Sequence, residues 1–83
     1  MNISLKTAGI LGRYLPAGSA RNSATLEIED GATPIDVIKL LDMPVDGNYL
    51  VMVNGEIVPP SERNDRVLQD NDQLSIMPAL RGG

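Results

Sequence analysis

Apolar and polar residues alternate from the start of the chain: Ile3 and Leu5 are separated by Ser4 and Lys6. A period of two marks a half-buried strand. A second alternation points Leu26 and Ile28 inward, with Thr25, Glu27 and Glu29 outward, and Asp30-Gly31 closes it as a turn. Between the two, residues 8–22 are richer in Gly, Ala and Ser, and Pro16-Ala17-Gly18-Ser19 reads as loop. Leu11, Tyr14 and Leu15 inside that segment suit one amphipathic turn that caps the core.

The period then changes to that of a helix. Thr33 is a good N-cap, Pro34 suits the first helical position, and Asp36 stands three residues after the cap in a capping-box relation. Val37, Ile38, Leu40 and Leu41 form the apolar stripe, with Asp36, Lys39 and Asp42 off it, and Pro44 is expected to stop the helix. Residues 49–53 are almost continuously apolar, which predicts a central strand buried on both faces. Asn54-Gly55 then predicts a hairpin with a type I′ turn, Glu56 to Val58 the returning strand, and Pro59-Pro60 its stop.

Ser61 to Gln69 is polar and reads as irregular, with Val67 and Leu68 tucked against the core and Arg63 and Arg66 on a solvated loop. Asp70-Asn71-Asp72 is a turn in which Asn71 tolerates the left-handed conformation. Leu74 and Ile76 alternate with Ser75 and Met77 as a last strand that Pro78 breaks. The order strand, strand, helix, strand, strand, strand predicts an α+β domain at 1–78, one helix packed on a mixed sheet of about four to five strands. Residues 79–83 are expected to hang beyond it as a flexible tail.

Composition narrows the chemistry. The 83 residues fit one domain. They include no cysteine, hence no thiolate nucleophile and no cysteine-ligated zinc or iron–sulfur cluster, and no histidine, the commonest general base and metal ligand. Asp70 and Asp72 alone lack the further oxygen ligands that calcium requires. No catalytic residue and no metal ligand is therefore expected in this chain. The net charge of −4 and the lack of a basic run argue against a nucleic-acid partner and favour a protein with a basic surface. No 18-residue apolar run exists and the chain opens directly on a strand pattern, so a cytoplasmic protein without membrane span or signal peptide is expected.

The most informative residues are the last two, Gly82 and Gly83. With glycine at about 7% of residues, two terminal glycines arise by chance in roughly one chain in two hundred. A tail without Cβ atoms can thread a channel too narrow for other residues. Its carboxylate is sterically bare, which suits attack on a nucleotide α-phosphate. A frayed terminus explains the pair equally well if it is taken alone. Its surroundings add weight: Asn54-Gly55-Glu56-Ile57-Val58-Pro59, then Leu68-Gln69-Asp70-Asn71-Asp72-Gln73-Leu74, then Met77-Pro78-Ala79-Leu80-Arg81-Gly82-Gly83. This ordered set resembles the ubiquitin-like β-grasp sulfur carriers, the small subunit of molybdopterin synthase and the thiamine-pathway carrier. Asn71 stands where that family usually has Gly, and Arg81 gives the tail a likeness to that of ubiquitin.

The resemblance implies a β-grasp fold and a carrier rather than an enzyme. A ubiquitin-activating-type enzyme would adenylate the Gly83 carboxylate, and a sulfur donor of the cysteine desulfurase or rhodanese type would convert it to a thiocarboxylate. An acceptor synthase would then take the sulfur for molybdopterin, tungstopterin or thiamine thiazole. Leu80, Arg81, Gly82 and Gly83 would enter the partner's active site, Met77, Pro78 and Leu80 would border the docking patch, and ATP and Mg²⁺ would belong to the partner. Two other classes stay open: a protein modifier joined to lysines through Gly83, and a plain interaction domain.

Overall fold

The computed structural model describes residues 1–16, 18–44 and 49–78. Five strands form one sheet: β1 (Asn2–Thr7), β2 (Ser23–Glu27), β3 (Tyr49–Val53), β4 (Glu56–Ile57) and β5 (Gln73–Pro78), in the order β2-β1-β5-β3-β4. β1 and β5 run parallel, with Leu5 opposite Leu74 and Thr7 opposite Ile76, and the other neighbours are antiparallel. β5 is thus the central strand, and β3 stands between it and the short edge strand β4.

The period-two pattern puts Ile3, Leu5, Leu26, Val51, Val53, Leu74 and Ile76 on one face, where they share a core with Val37 and Ile38 of α1 (Pro34–Leu40) and its C-cap Leu41. That helix starts as its sequence requires. Thr33 accepts the amide of Asp36, and the Asp36 carboxylate accepts the Thr33 amide at 2.9 Å, so two otherwise orphaned donors are satisfied reciprocally. It ends by a different device from the one expected. Asp42 takes a left-handed conformation (φ 59°), its amide donates to the Lys39 carbonyl, and the Met43 amide donates to that of Ile38. This is a Schellman arrangement closed by Asp, and it stops the helix before Pro44 is reached.

A 3₁₀ segment at Gly9–Tyr14 follows β1 and buries Leu11, with Tyr14 and Leu15 packed against the core, which is the expected cap. It sits close to the chain that leads into β2. A Cβ at Gly12 would stand 2.5 Å from the Arg21 carbonyl oxygen and 2.6 Å from the Asn22 side chain. The hairpin has its predicted turn, with φ of 52° at Asn54 and 85° at Gly55, and Asn71 is left-handed at 68°.

Four expectations need correction. Leu40 is 60% exposed, because the helix stripe that meets the sheet is Val37, Ile38 and Leu41. Val67 is exposed while Leu68 is buried, with the Leu68 amide donating to the Ala32 carbonyl. Arg63 is only 8% exposed and does not belong to a solvated loop. Its guanidinium donates to the Tyr49 carbonyl at the start of β3, and its own carbonyl accepts the Ile35 amide of α1. Burial pushes that guanidinium below its ordinary pKa. Finally, β3 is not buried on both faces: Leu50 is 38% exposed and Met52 half-buried.

Candidate functional site

The site is the downstream end of β5 and the open sheet face beside it. Met77 and Pro78 close the strand: Met77 stands opposite Leu50 and Pro78 opposite Tyr49. Pro78 ends the strand from within the ladder instead of lying after it. Its missing amide costs no ladder bond at a terminal position. Gly9, at the head of the 3₁₀ segment, lies against the Pro78 ring. The chain therefore leaves the sheet between β1 and β3, at the middle of one edge. Leu80, Arg81, Gly82 and Gly83, the residues expected to enter a partner, lie outside the described residues together with Ala79.

The helix covers one face of the sheet only. On the other face, register fixes the neighbours. Leu50 pairs with Met77, Met52 with both Ser75 and Ile57, and directly opposed residues share a face. The result is a patch of Leu50, Met52, Ile57 and Met77, with Ile57 65% exposed, adjoining the place where the chain leaves. Pro78 is exposed at its margin. Of these residues, sequence reasoning singled out Met77 and Pro78 and missed Leu50, Met52 and Ile57. The unbroken apolar run over 49–53 was the available signal, and it was read as double burial.

The upstream end of β5 holds polar residues in a different arrangement. Asp72 accepts the Asn54 side-chain amide at 2.8 Å and the Gln69 backbone amide at 2.8 Å, while Asn54 accepts the Gln73 amide at 2.9 Å. Asp70 accepts the Asn2 amide at 2.8 Å. Both carboxylates thus cap backbone donors and tie two turns and the start of β1 together, and they do not converge on a shared point. Among the described residues no group of three or more His, Cys, Asp or Glu is placed to hold a metal ion. Nor is any helix among them long and apolar enough to cross a membrane.

Comparison with known proteins agrees with this geometry. The model of the ThiS family matches residues 16–83. No curated protein matches the chain. Among solved structures, SAMP1 from Haloferax volcanii superposes with a TM-score of 0.71 at 20% identity, covering 100% of both chains. The HVO 2177 protein of the same organism gives 0.76 at 24% identity, covering 100% of this chain and 87% of the other. A third likeness, at 0.62 and 15% identity with 100% of both chains covered, is to a chain of the Helicobacter pylori complex of molybdopterin-converting factor subunits 1 and 2. At these identities the likenesses carry the fold, a ubiquitin-like β-grasp.

Proposed function

The chain belongs to the ThiS family, and on that premise we propose that it is a sulfur carrier that works through the carboxylate of Gly83. The single observation that carries the reading is the coincidence of an uncovered apolar patch with the end of the central strand at Pro78, five residues before Gly83. In this reading Leu50, Met52, Ile57, Met77 and Pro78 dock on an adenylating enzyme, and Leu80 to Gly83 reach into its active site. The Gly83 carboxylate attacks the α-phosphate of ATP, releasing pyrophosphate and leaving an acyl adenylate. The terminal sulfur of a donor's persulfide then displaces AMP to give an acyl disulfide. A partner's thiol releases the thiocarboxylate by forming a disulfide with the donor's remaining sulfur, and the thiocarboxylate is carried to an acceptor synthase for molybdopterin, tungstopterin or thiamine thiazole. The likeness to a subunit of a two-subunit converting factor supports a synthase partner. This chain supplies docking and a bare carboxylate, while ATP, Mg²⁺ and the acid–base groups are the partners'.

The test is the intact mass of protein recovered from its native cell. A fraction should be heavier by the difference between one sulfur and one oxygen, and the excess should map to the peptide ending in Gly83. Finding unmodified carboxylate alone, even after incubation with the adenylating enzyme, ATP and a sulfur donor, would reject the reading. The likeness to SAMP1, a small archaeal modifier protein, favours a second outcome from the same adenylate: attack by a lysine amine and an isopeptide tag. A ladder of conjugates in native extract, absent when Gly83 is removed, distinguishes it.

A further inference from the structure

The average charge of −4 conceals a segregation of charge along the chain. The residues from Met1 to Leu26 contain Lys6, Arg13 and Arg21 and no carboxylate, and the first acidic residue is Glu27. The fold then gathers these three cations at the end of the sheet from which the tail leaves. Lys6 lies on the open face in a row that register sets as Ser23, Lys6, Ser75, Met52 and Ile57. At a strand spacing of about 4.8 Å it stands within about 10 Å of the apolar patch. Arg13 is in the last turn of the 3₁₀ segment that begins against Pro78, and its guanidinium is held over the Tyr14 ring at 5.2 Å. Arg21 adjoins the same segment through the close approach of its carbonyl to Gly12, two residues before Ser23 begins β2.

All three side chains are exposed, and none makes an ion pair among the described residues. Glu27, the nearest acidic residue along β2, is four residues from Ser23 toward the opposite end, a distance of about 13 Å. Lys6 also lines a groove of about 630 Å³ together with Pro16, Ser19, Ser23 and Gln73. Unpaired cations of one sign, next to an apolar patch, form a surface that selects by charge and registers the approach of a partner.

We propose that Lys6, Arg13 and Arg21 form a basic collar that docks an acidic surface beside the channel of the enzyme taking up the tail. This rests on the carrier reading above. The apolar patch provides contact area, and the collar sets orientation and encounter rate. The expectation of a basic partner, drawn from average charge, is thereby restricted to the acidic end of the molecule.

The test is adenylation of the full chain by the adenylating enzyme of its own cell, followed as pyrophosphate exchange across ionic strength. For the wild type, KM should rise steeply as added salt shortens the Debye length toward about 3 Å. The variant Lys6→Glu/Arg13→Glu/Arg21→Glu should show KM at least tenfold higher at low salt, an unchanged kcat and a flattened salt dependence. The milder Lys6→Gln/Arg13→Gln/Arg21→Gln, which removes the charges without reversing them, should fall between, with a thermal melt confirming that it is folded. Reversal at the other end, Glu27→Lys/Glu29→Lys, should leave KM alone. A normally adenylated wild type whose collar variants keep its KM and salt slope overturns the collar and leaves the carrier reading intact. A wild type that is never adenylated overturns both. Binding of single-stranded RNA by the wild type, lost in the triple variant, would reassign the collar to nucleic acid and overturn the proposal.

Discussion

The two ends of the central strand β5 are built on opposite plans. At its upstream end, Asp72 and Asn54 bond to each other and to the amides of Gln69 and Gln73, so that the hairpin turn and the acidic turn are held as one unit. At its downstream end, Met77 and Pro78 make only ladder and apolar contacts, and beside them lies an open apolar patch. Residues that draw attention in sequence lie at both ends. The polar ones, which look like chemistry, are consumed by backbone donors. The apolar ones, which look like core, stay uncovered. Polar side chains with all their partners inside the fold are structural, whereas uncovered apolar groups at the end of the central strand are what a docking surface requires.

This contrast predicts that substitutions lose their effect on stability from the upstream end to the downstream end, as their effect on activation grows. The largest loss of stability is expected for Asp72→Ala. It removes the acceptor of both the Asn54 and the Gln69 amide, two charge-assisted bonds in an exposed setting, and should cost about 2–3 kcal/mol. The melting temperature should fall by roughly 10–20 °C. Asp72→Asn, which keeps one acceptor oxygen, should recover part of it. Gly55→Val comes next. Nothing lies within 4 Å of a Cβ at Gly55, so the whole cost is that of forcing a β-branched residue to φ 85°, about 1–3 kcal/mol. A denaturation midpoint unchanged by either substitution would break the structural assignment of this end.

The order of elements, both left-handed turn residues, the helix cap and the strand alternation were legible in the sequence, because each rests on a local rule of sterics or hydrogen bonding. What was not legible depended on which faces are covered. Residues 49–53 read as doubly buried, yet a chain with one helix can cover only one face of its sheet. Alternate residues of that strand, Leu50 and Met52, therefore had to meet solvent. Counting layers before assigning burial would have exposed the patch. Arg63 was hidden for a related reason. Its burial follows from a long-range bond to the Tyr49 carbonyl, and nothing in a polar stretch of sequence distinguishes a cation that turns inward. Asp42 closes the helix in a conformation more often taken by glycine, so Pro44 looked like the stop.

The downstream end is tested first at the patch. Leu50→Thr/Ile57→Thr puts two strand-forming residues in place and removes apolar surface that is mostly exposed at Ile57 and partly exposed at Leu50. Its stability cost should be about 1–2 kcal/mol, below that of Asp72→Ala. Loss of two central contact groups should nonetheless lower tail adenylation by about ten- to a hundredfold, through KM more than kcat. Equal KM for this variant and the wild type would show that partners dock elsewhere. Leu40→Lys, at an exposed apolar residue of the helix on the other side of the sheet from the patch, is the matched control and should change neither quantity.

The smallest effect on stability is expected at Gly82, four residues beyond Pro78, the last residue of β5. Gly82→Ala leaves every ladder and core contact described above intact, so the melting temperature should stay within error of the wild type. The same methyl group adds a Cβ to a segment that, in the carrier reading, must pass through a narrow channel and present its carboxylate to ATP. Each tenfold loss in rate corresponds to about 1.4 kcal/mol, which a single steric clash in a confined channel readily supplies. Adenylation should therefore fall tenfold or more, and removal of Gly83 should abolish it, with both variants melting as the wild type does. Measuring pyrophosphate exchange and thermal unfolding on the same preparations separates the alternatives. Normal activation of Gly82→Ala would remove the narrow-channel argument for the two glycines. A lowered melting temperature in the truncated chain would mean that the tail packs on the domain, and the contrast between the two ends of β5 would be lost.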